Sequence, residues 1–484
     1  MATKRRVAQI GARVSGGLLG MAVVVVAIGG AAVVPWPTLV QPAPSTLVTP
    51  VADSQLRVCP GPLLTLAEDS SQAETATSVG RYDTVYSART AVTGAEAVPV
   101  DRADLAAVDN SQAARDGAPL VLSVPVEAGA DAAPMVAAAQ SQAVGIETIG
   151  GFAVSACTAA SSDSWLVSGS TDVGRTSLVL LGNPTDVVAS VDLTVYGEAG
   201  VVDAPGSTGI LVQPGSQRIV SLAGLAPNLR SPVVHVQSTG GQVAAAMEQS
   251  VIRGLQPGGV ELSGPSTMPA TEQVIPGVAV SAPSADASAD AGAVTEDTPT
   301  VRVLVPGDTP AQVTVGVQSE DGSATGTSLE VEIPAGVATE VPLSGIGPGT
   351  FTVKLTADQP VVSAALTSTP GSVNPDFSWS SAAQAQTGAF AVSVPPGPAP
   401  TIHLANTDAV DANLTFQPDA GDAIVITVPA GQSAVVPLAG STNYLVSGGT
   451  SIAAAVAFAG DGQASSFTLS PIGVLSSAIT VYSH

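Results

Sequence analysis

The stretch V-Q-P-G-S-Q-R-I-V-S-L-A-G (212–224) returns as I-P-A-G-V-A-T-E-V-P-L-S-G (333–345) and again as V-P-A-G-Q-S-A-V-V-P-L-A-G (428–440). Counted from Gly215, Gly336 and Gly431, every copy has Val at +5, Leu at +7 and Gly at +9. Proline and glycine supply turn dihedrals, and Val and Leu two positions apart face one side of a strand. Each copy is therefore a turn leading into a half-buried strand, and its recurrence marks a chain built from repeats.

Working outward, the same three copies share a second spacing. Leu181, Val305 and Leu404 each stand ten residues before a strand hydrophobe, Val191, Val315 and Leu414. Around these, Val191-x-Leu193-x-Val195, Val313-x-Val315-x-Val317 and Leu414-x-Phe416 alternate with polar residues, the period of a strand with one buried face. Downstream, turns at 238–241, 357–360 and 447–450 lead into Ala-rich strands (243–247, 361–366 and 452–458), whose small side chains let facing sheets approach closely. About six short strands in roughly 60–75 residues predict an all-β fold of tandem antiparallel β-sandwich modules, immunoglobulin-like in type. A fainter earlier copy is visible at 120–140, around V-P-V-E-A-G (124–129).

The N-terminus carries Lys4, Arg5, Arg6 and Arg13, followed by an uncharged apolar run from Val14 to Val34 closed by Pro35-Trp36-Pro37. About 20 apolar residues cross a bilayer as a helix, and the basic flank predicts a cytoplasmic N-terminus. A cleaved signal peptide, cut near the small residues 29–32, is the alternative; both export the remainder. Cys59 and Cys157 are the chain's two cysteines, and in an exported chain they predict one disulfide.

The formal charge of −24 disfavours nucleic acid as a partner, since phosphate backbones would be repelled. No G-x-S-x-G elbow, H-E-x-x-H pair or Walker A loop is present, and no cofactor or metal set is recognisable. His235 and His403 fall on unlike strands of different modules, each expected on a polar face, and His484 is C-terminal. Asp286 and Asp290 lie in an acidic Ala/Ser-rich stretch without the spacing of a calcium loop. The one candidate ligand surface is Asp163, Trp165 and Arg175, flanking the turn 169–174. There a guanidinium would hold a carboxylate or sugar hydroxyl beside an indole stacking face. Alternatively, Trp165 fills the sandwich core and Arg175 pairs with a nearby Asp across a hairpin.

The string Cys157…Asp163-Ser164-Trp165…Gly169-Ser170-Thr171…Gly174-Arg175…Asn183-Pro184…Val195-Tyr196-Gly197 resembles a family of unknown function found in large exported actinobacterial proteins. In that family a basic N-terminus and one hydrophobic segment precede a Cys-containing, Ala/Val-rich ectodomain. Where the family's turn reads Gly-Gly-Ser-Thr, this chain has Ser168-Gly169-Ser170-Thr171. The resemblance implies an envelope location and brings no activity or catalytic residue.

The expected organisation is a cytoplasmic tail (1–13), a transmembrane helix or signal anchor (14–34) and a Pro-rich linker (35–54). An N-terminal β region with the disulfide (55–165) and repeat 1 (166–264) follow. An acidic linker (265–300), repeat 2 (301–385) and repeat 3 (386–484) complete the chain. Residues 467–484 are expected to supply the last module's closing strands. The expected function is that of a membrane-anchored extracytoplasmic β-sandwich protein, a structural or interaction module of the cell envelope and not an enzyme. Its partners would be the membrane, other envelope proteins or glycans, and a carbohydrate-binding module using Trp165 and Arg175 is the alternative.

Overall fold

The computed structural model describes residues 45–48, 54–66, 76–90, 96–126, 133–282, 296, 298–322, 326–372, 374–449, 451–470 and 479–482. The expected transmembrane helix at 14–34 lies outside them, as do Asp286 and Asp290. Among the described residues no helix is long and apolar enough to cross a membrane. The described residues are nearly all β, with two short helices among them, Ala113–Asp116 and Leu222–Leu225. It forms two compact units. The smaller contains an antiparallel pair, Ser45–Val48 with Ile479–Tyr482. The end of the chain was expected to close the last module, but that strand pairs inside the small unit instead. The strand Gln463–Thr468 closes repeat 3.

In the large unit one topology recurs. Repeat 1 runs through Asp163–Leu166, Arg175–Asn183, Ala189–Gly197, Ile210–Val212, Ser216–Ser221, Val233–Gly240, Ala244–Arg253 and Gln256–Ser263. One sheet orders these first-sixth-third-fourth and the other eighth-seventh-second-fifth. Repeat 2 runs from Ala270–Val280 to Asp376–Ser381 with the same pairings, its sixth and seventh strands fused into Gly349–Thr369. Repeat 3, from Phe390–Val394 to Gln463–Thr468, repeats them again. In each repeat the two sheets share one apolar core, and the recurring positions lie in it: Leu181, Val191 and Leu222; Val305, Val315 and Leu343; Leu404, Leu414 and Leu438.

The N-terminal region is a reduced fourth copy. Gln55–Cys59, Leu120–Val124 and Asp101–Asp104 form a sheet in the first-sixth-third order. Gly150–Ala156, Met135–Gly145 and Asp83–Arg89 form the eighth-seventh-second sheet. Val124, in the fainter copy noted at 120–140, ends a sixth strand. The Cys59–Cys157 bond joins the first strand to the end of the eighth, with a sequence separation of 98.

The expected linker 265–300 contains Ala270–Val280, the first strand of repeat 2, with Ile275 and Val278 buried. The Pro276-Gly277 step breaks its alternation and shifts its register between Ile275 and Val278, which hides the strand from a period-two search.

Two kinds of sheet result. Third strands alternate, as in Ala311–Ser319 and Ala412–Pro418, with one face buried and the other exposed. Second, seventh and eighth strands are largely buried on both faces, as in Thr300–Leu304 and Asp376–Ser381. These inner sheets pack against the neighbouring copies.

Candidate functional site

The four eighth strands meet at one junction. Gly150–Ala156 packs on Gln256–Ser263, which packs on Asp376–Ser381; that strand packs on Gln463–Thr468, which returns to Gly150–Ala156. Four strands brought side by side as sheet edges present backbone N–H groups with no ladder partner, and buried N–H groups require acceptors.

Asp376 supplies them. Its Oδ1 accepts from the N–H of Val260 at 3.0 Å and of its own neighbour Phe377 at 3.0 Å. Its Oδ2 accepts from Phe152 at 2.9 Å and Ala464 at 3.2 Å. One carboxyl thus touches all four copies. Space is cleared for it by glycine: a Cβ on Gly259 would stand 2.7 Å from Oδ1, and one on Gly151 equally close, both at positive φ. Burial pushes the Asp376 carboxyl up to about 7 against the pull of its four N–H donors.

Two further carboxyls are buried in the inner sheets of repeat 1, and the first of them lies near Asp376. Glu261 is fully buried, accepts the Ser465 hydroxyl at 2.6 Å and the Trp379 N–H at 3.2 Å, and is pushed well up by burial. Glu248 accepts the Leu64 N–H at 2.9 Å, while its other oxygen has no partner among the described residues. Burial pushes Glu248 up to about 8, so it is protonated at neutral pH.

Paired charges join the copies away from this centre. Arg302, on the second strand of repeat 2, donates to Glu340 at 2.8 Å. It also donates to the carbonyls of Gly169 and Pro232, each at 2.9 Å, and lies 4.3 Å above the Trp379 ring. Between repeats 2 and 3, His403 Nδ1 meets Glu320 Oε2 at 2.5 Å, and the other Glu320 oxygen accepts from Thr352 and Gly277. His403 was expected on a polar strand face. That face is covered by another copy, which is why it is buried and paired.

The residues singled out from the sequence separate. Trp165 is 4% exposed, stacked on His235 with ring centroids 3.8 Å apart, and packs in the apolar cluster between repeats 1 and 2. It presents no stacking face to solvent. Asp163 Oδ1 accepts a hydrogen bond from His235 Nε2 at 3.0 Å. Arg175 forms a two-point pair with Glu296, at 2.9 and 2.7 Å. Glu296 lies in the stretch expected as linker and is buried. The Gly169 turn accepts Arg302. The stretch 163–175 is thus a latch between repeats 1 and 2, in which Asp163 and Arg175 are paired while the Trp165 indole N–H has no hydrogen-bond partner among the described residues.

Asp376, Glu261 and Glu248 were not singled out from the sequence. A signal exists: each is a lone carboxyl in an otherwise small or apolar strand, as in A-A-A-M-E and G-V-E-L-S. Among the described residues no three His, Cys, Asp or Glu side chains assemble into a set that could hold a metal ion.

These features define a mainly antiparallel β protein whose sandwich copies are joined through a buried polar junction. The chain belongs to a family of unknown function, DUF5719, whose model matches residues 108–439 and so runs from the reduced copy into repeat 3. No curated protein matches the sequence. Among solved structures, Thermotoga maritima 1070 is similar at 14% identity and a TM-score of 0.20, over 24% of this chain and 93% of that one. A BSP domain of a biofilm-associated protein is similar at 10% identity and a TM-score of 0.13, over 91% of this chain and 99% of that one. Likenesses this distant carry no functional argument.

Proposed function

We propose that the protein is a membrane-anchored, extracytoplasmic scaffold or interaction module of the cell envelope, and that it is not an enzyme. The observation that carries this reading is the use of its buried polar groups. Asp376, Glu261, Arg302 and His403, the groups whose burial would otherwise suggest a reactive site, are spent on contacts between copies. Export is supported by the Cys59–Cys157 bond, which persists in oxidising compartments, and by the basic-then-apolar segment at 4–34. An immunoglobulin-like kinship of the copies is supported by second–fifth and third–sixth pairing, the counterparts of B–E and C–F in that fold. The first and seventh strands sit on the opposite sheets from their immunoglobulin counterparts.

The test is crosslinking of tagged full-length protein in intact cells. Neighbours drawn from envelope proteins or glycans are expected. Capture of cytoplasmic proteins alone, or hydrolysis of glycan or peptide by purified protein at an enzyme-like rate, would refute the proposal.

A further inference from the structure

A second feature lies between the reduced copy and repeat 3. Arg57, on the strand Gln55–Cys59, is 7% exposed and lines a half-open cavity of about 60 Å³. Its Nη1 donates to the Leu56 carbonyl at 3.0 Å. Among the described residues no carboxylate pairs with it, and no other residue lining the cavity carries a charge. This sets Arg57 apart from Arg302 and Arg175, which meet Glu340 and Glu296. A buried cation without a counter-charge is costly, and burial holds this guanidinium down to about 10.

The geometry points to a binding site for a small monocarboxylate, seated on the Arg57 guanidinium with its apolar end against Val136, Ala391 and Phe467. Four arguments select that ligand. A planar guanidinium matches a carboxylate through two parallel N–H···O bonds. A single cation is neutralised by a monoanion, whereas a dianion would leave a net buried negative charge. The hydroxyl residues Thr158 and Thr468 border the cavity, and the apolar wall suits a short hydrocarbon. Its volume is on the order of that of two liquid waters, which limits the ligand to an acid of about the size of acetate.

The test is equilibrium dialysis of full-length, disulfide-intact protein against radiolabelled acetate at constant ionic strength. Saturable uptake of one equivalent is expected. Arg57→Met should weaken it by roughly 10-fold or more, in protein that retains its far-UV spectrum. Should Arg57→Met fail to fold, Ala391→Leu, which narrows the cavity and leaves Arg57 in place, should weaken uptake as well. Absence of saturable uptake by folded wild-type protein, or uptake that survives both substitutions, overturns the site. Equal displacement by chloride overturns its assignment to carboxylates.

Discussion

The outer and inner sheets of each repeat are made by the same local rules and end in different environments. In the outer sheet Val313, Val315 and Val317 point into the core while Gln312 and Thr314 face solvent. In the inner sheet Val301 and Val303 point into the same kind of core, but Arg302 between them faces another copy and is buried. Alternation therefore describes one face of a strand, and only the tertiary neighbours decide whether the other is surface. Where it is not, polar residues must be paired, and the Ala-rich seventh strands let the copies come close enough to pair them.

The contrast can be broken most severely at the reduced copy, in which no fourth or fifth strand is found among the described residues and which carries the disulfide. Reducing Cys59–Cys157 should cost up to ~4–5 kcal/mol in the chain-entropy model, read as a drop in the urea midpoint. An unchanged midpoint would mean that the inner packing alone holds this copy.

Next in size is Asp376→Ala, which leaves four buried N–H groups without their acceptor. A loss of about 3–5 kcal/mol is expected by denaturant titration. A loss below ~1 kcal/mol would show that water replaces the carboxyl.

The pH dependence sharpens the comparison further. Asp376 and Glu248 are raised by burial to about 7 and about 8, so the folded state keeps protons that the unfolded chain releases above its ordinary carboxyl range. Their contribution is fully present below about pH 4 and is lost as pH rises through about 7 and 8. The slope is at most ~1.4 kcal/mol per pH unit for each group. Melting temperature measured from pH 5 to pH 8.5 should fall, and Glu248→Gln should flatten the upper part of that fall. A rise over the same range would contradict the junction chemistry. The smallest effect belongs to the outer sheet: Glu330→Gln, on the exposed strand Thr327–Ile333, should change stability by no more than about 0.5 kcal/mol in the same titration.

Much of the outer architecture was legible in the chain. The P-x-G turns, the ten-residue spacing and the period-two hydrophobes located the core positions of all three repeats, because turn dihedrals and strand alternation are local properties. The reduced copy is visible only faintly, at 120–140, and its strand order is not encoded in the local pattern. The junction was illegible for a different reason. Asp376 binds Phe152, Val260 and Ala464, which lie 224, 116 and 88 residues away, and no local pattern encodes such a meeting. Trp165 and Arg175 stood out because aromatic and basic residues are scarce here, and the structure places both in contacts between repeats 1 and 2.

The central claim is that the copies are fused into one body through their inner sheets. Differential scanning calorimetry of the full-length protein tests it directly. One transition, with a calorimetric enthalpy equal to the van't Hoff enthalpy, is the expected result. Separate transitions for individual repeats, each persisting when the others have melted, would contradict it.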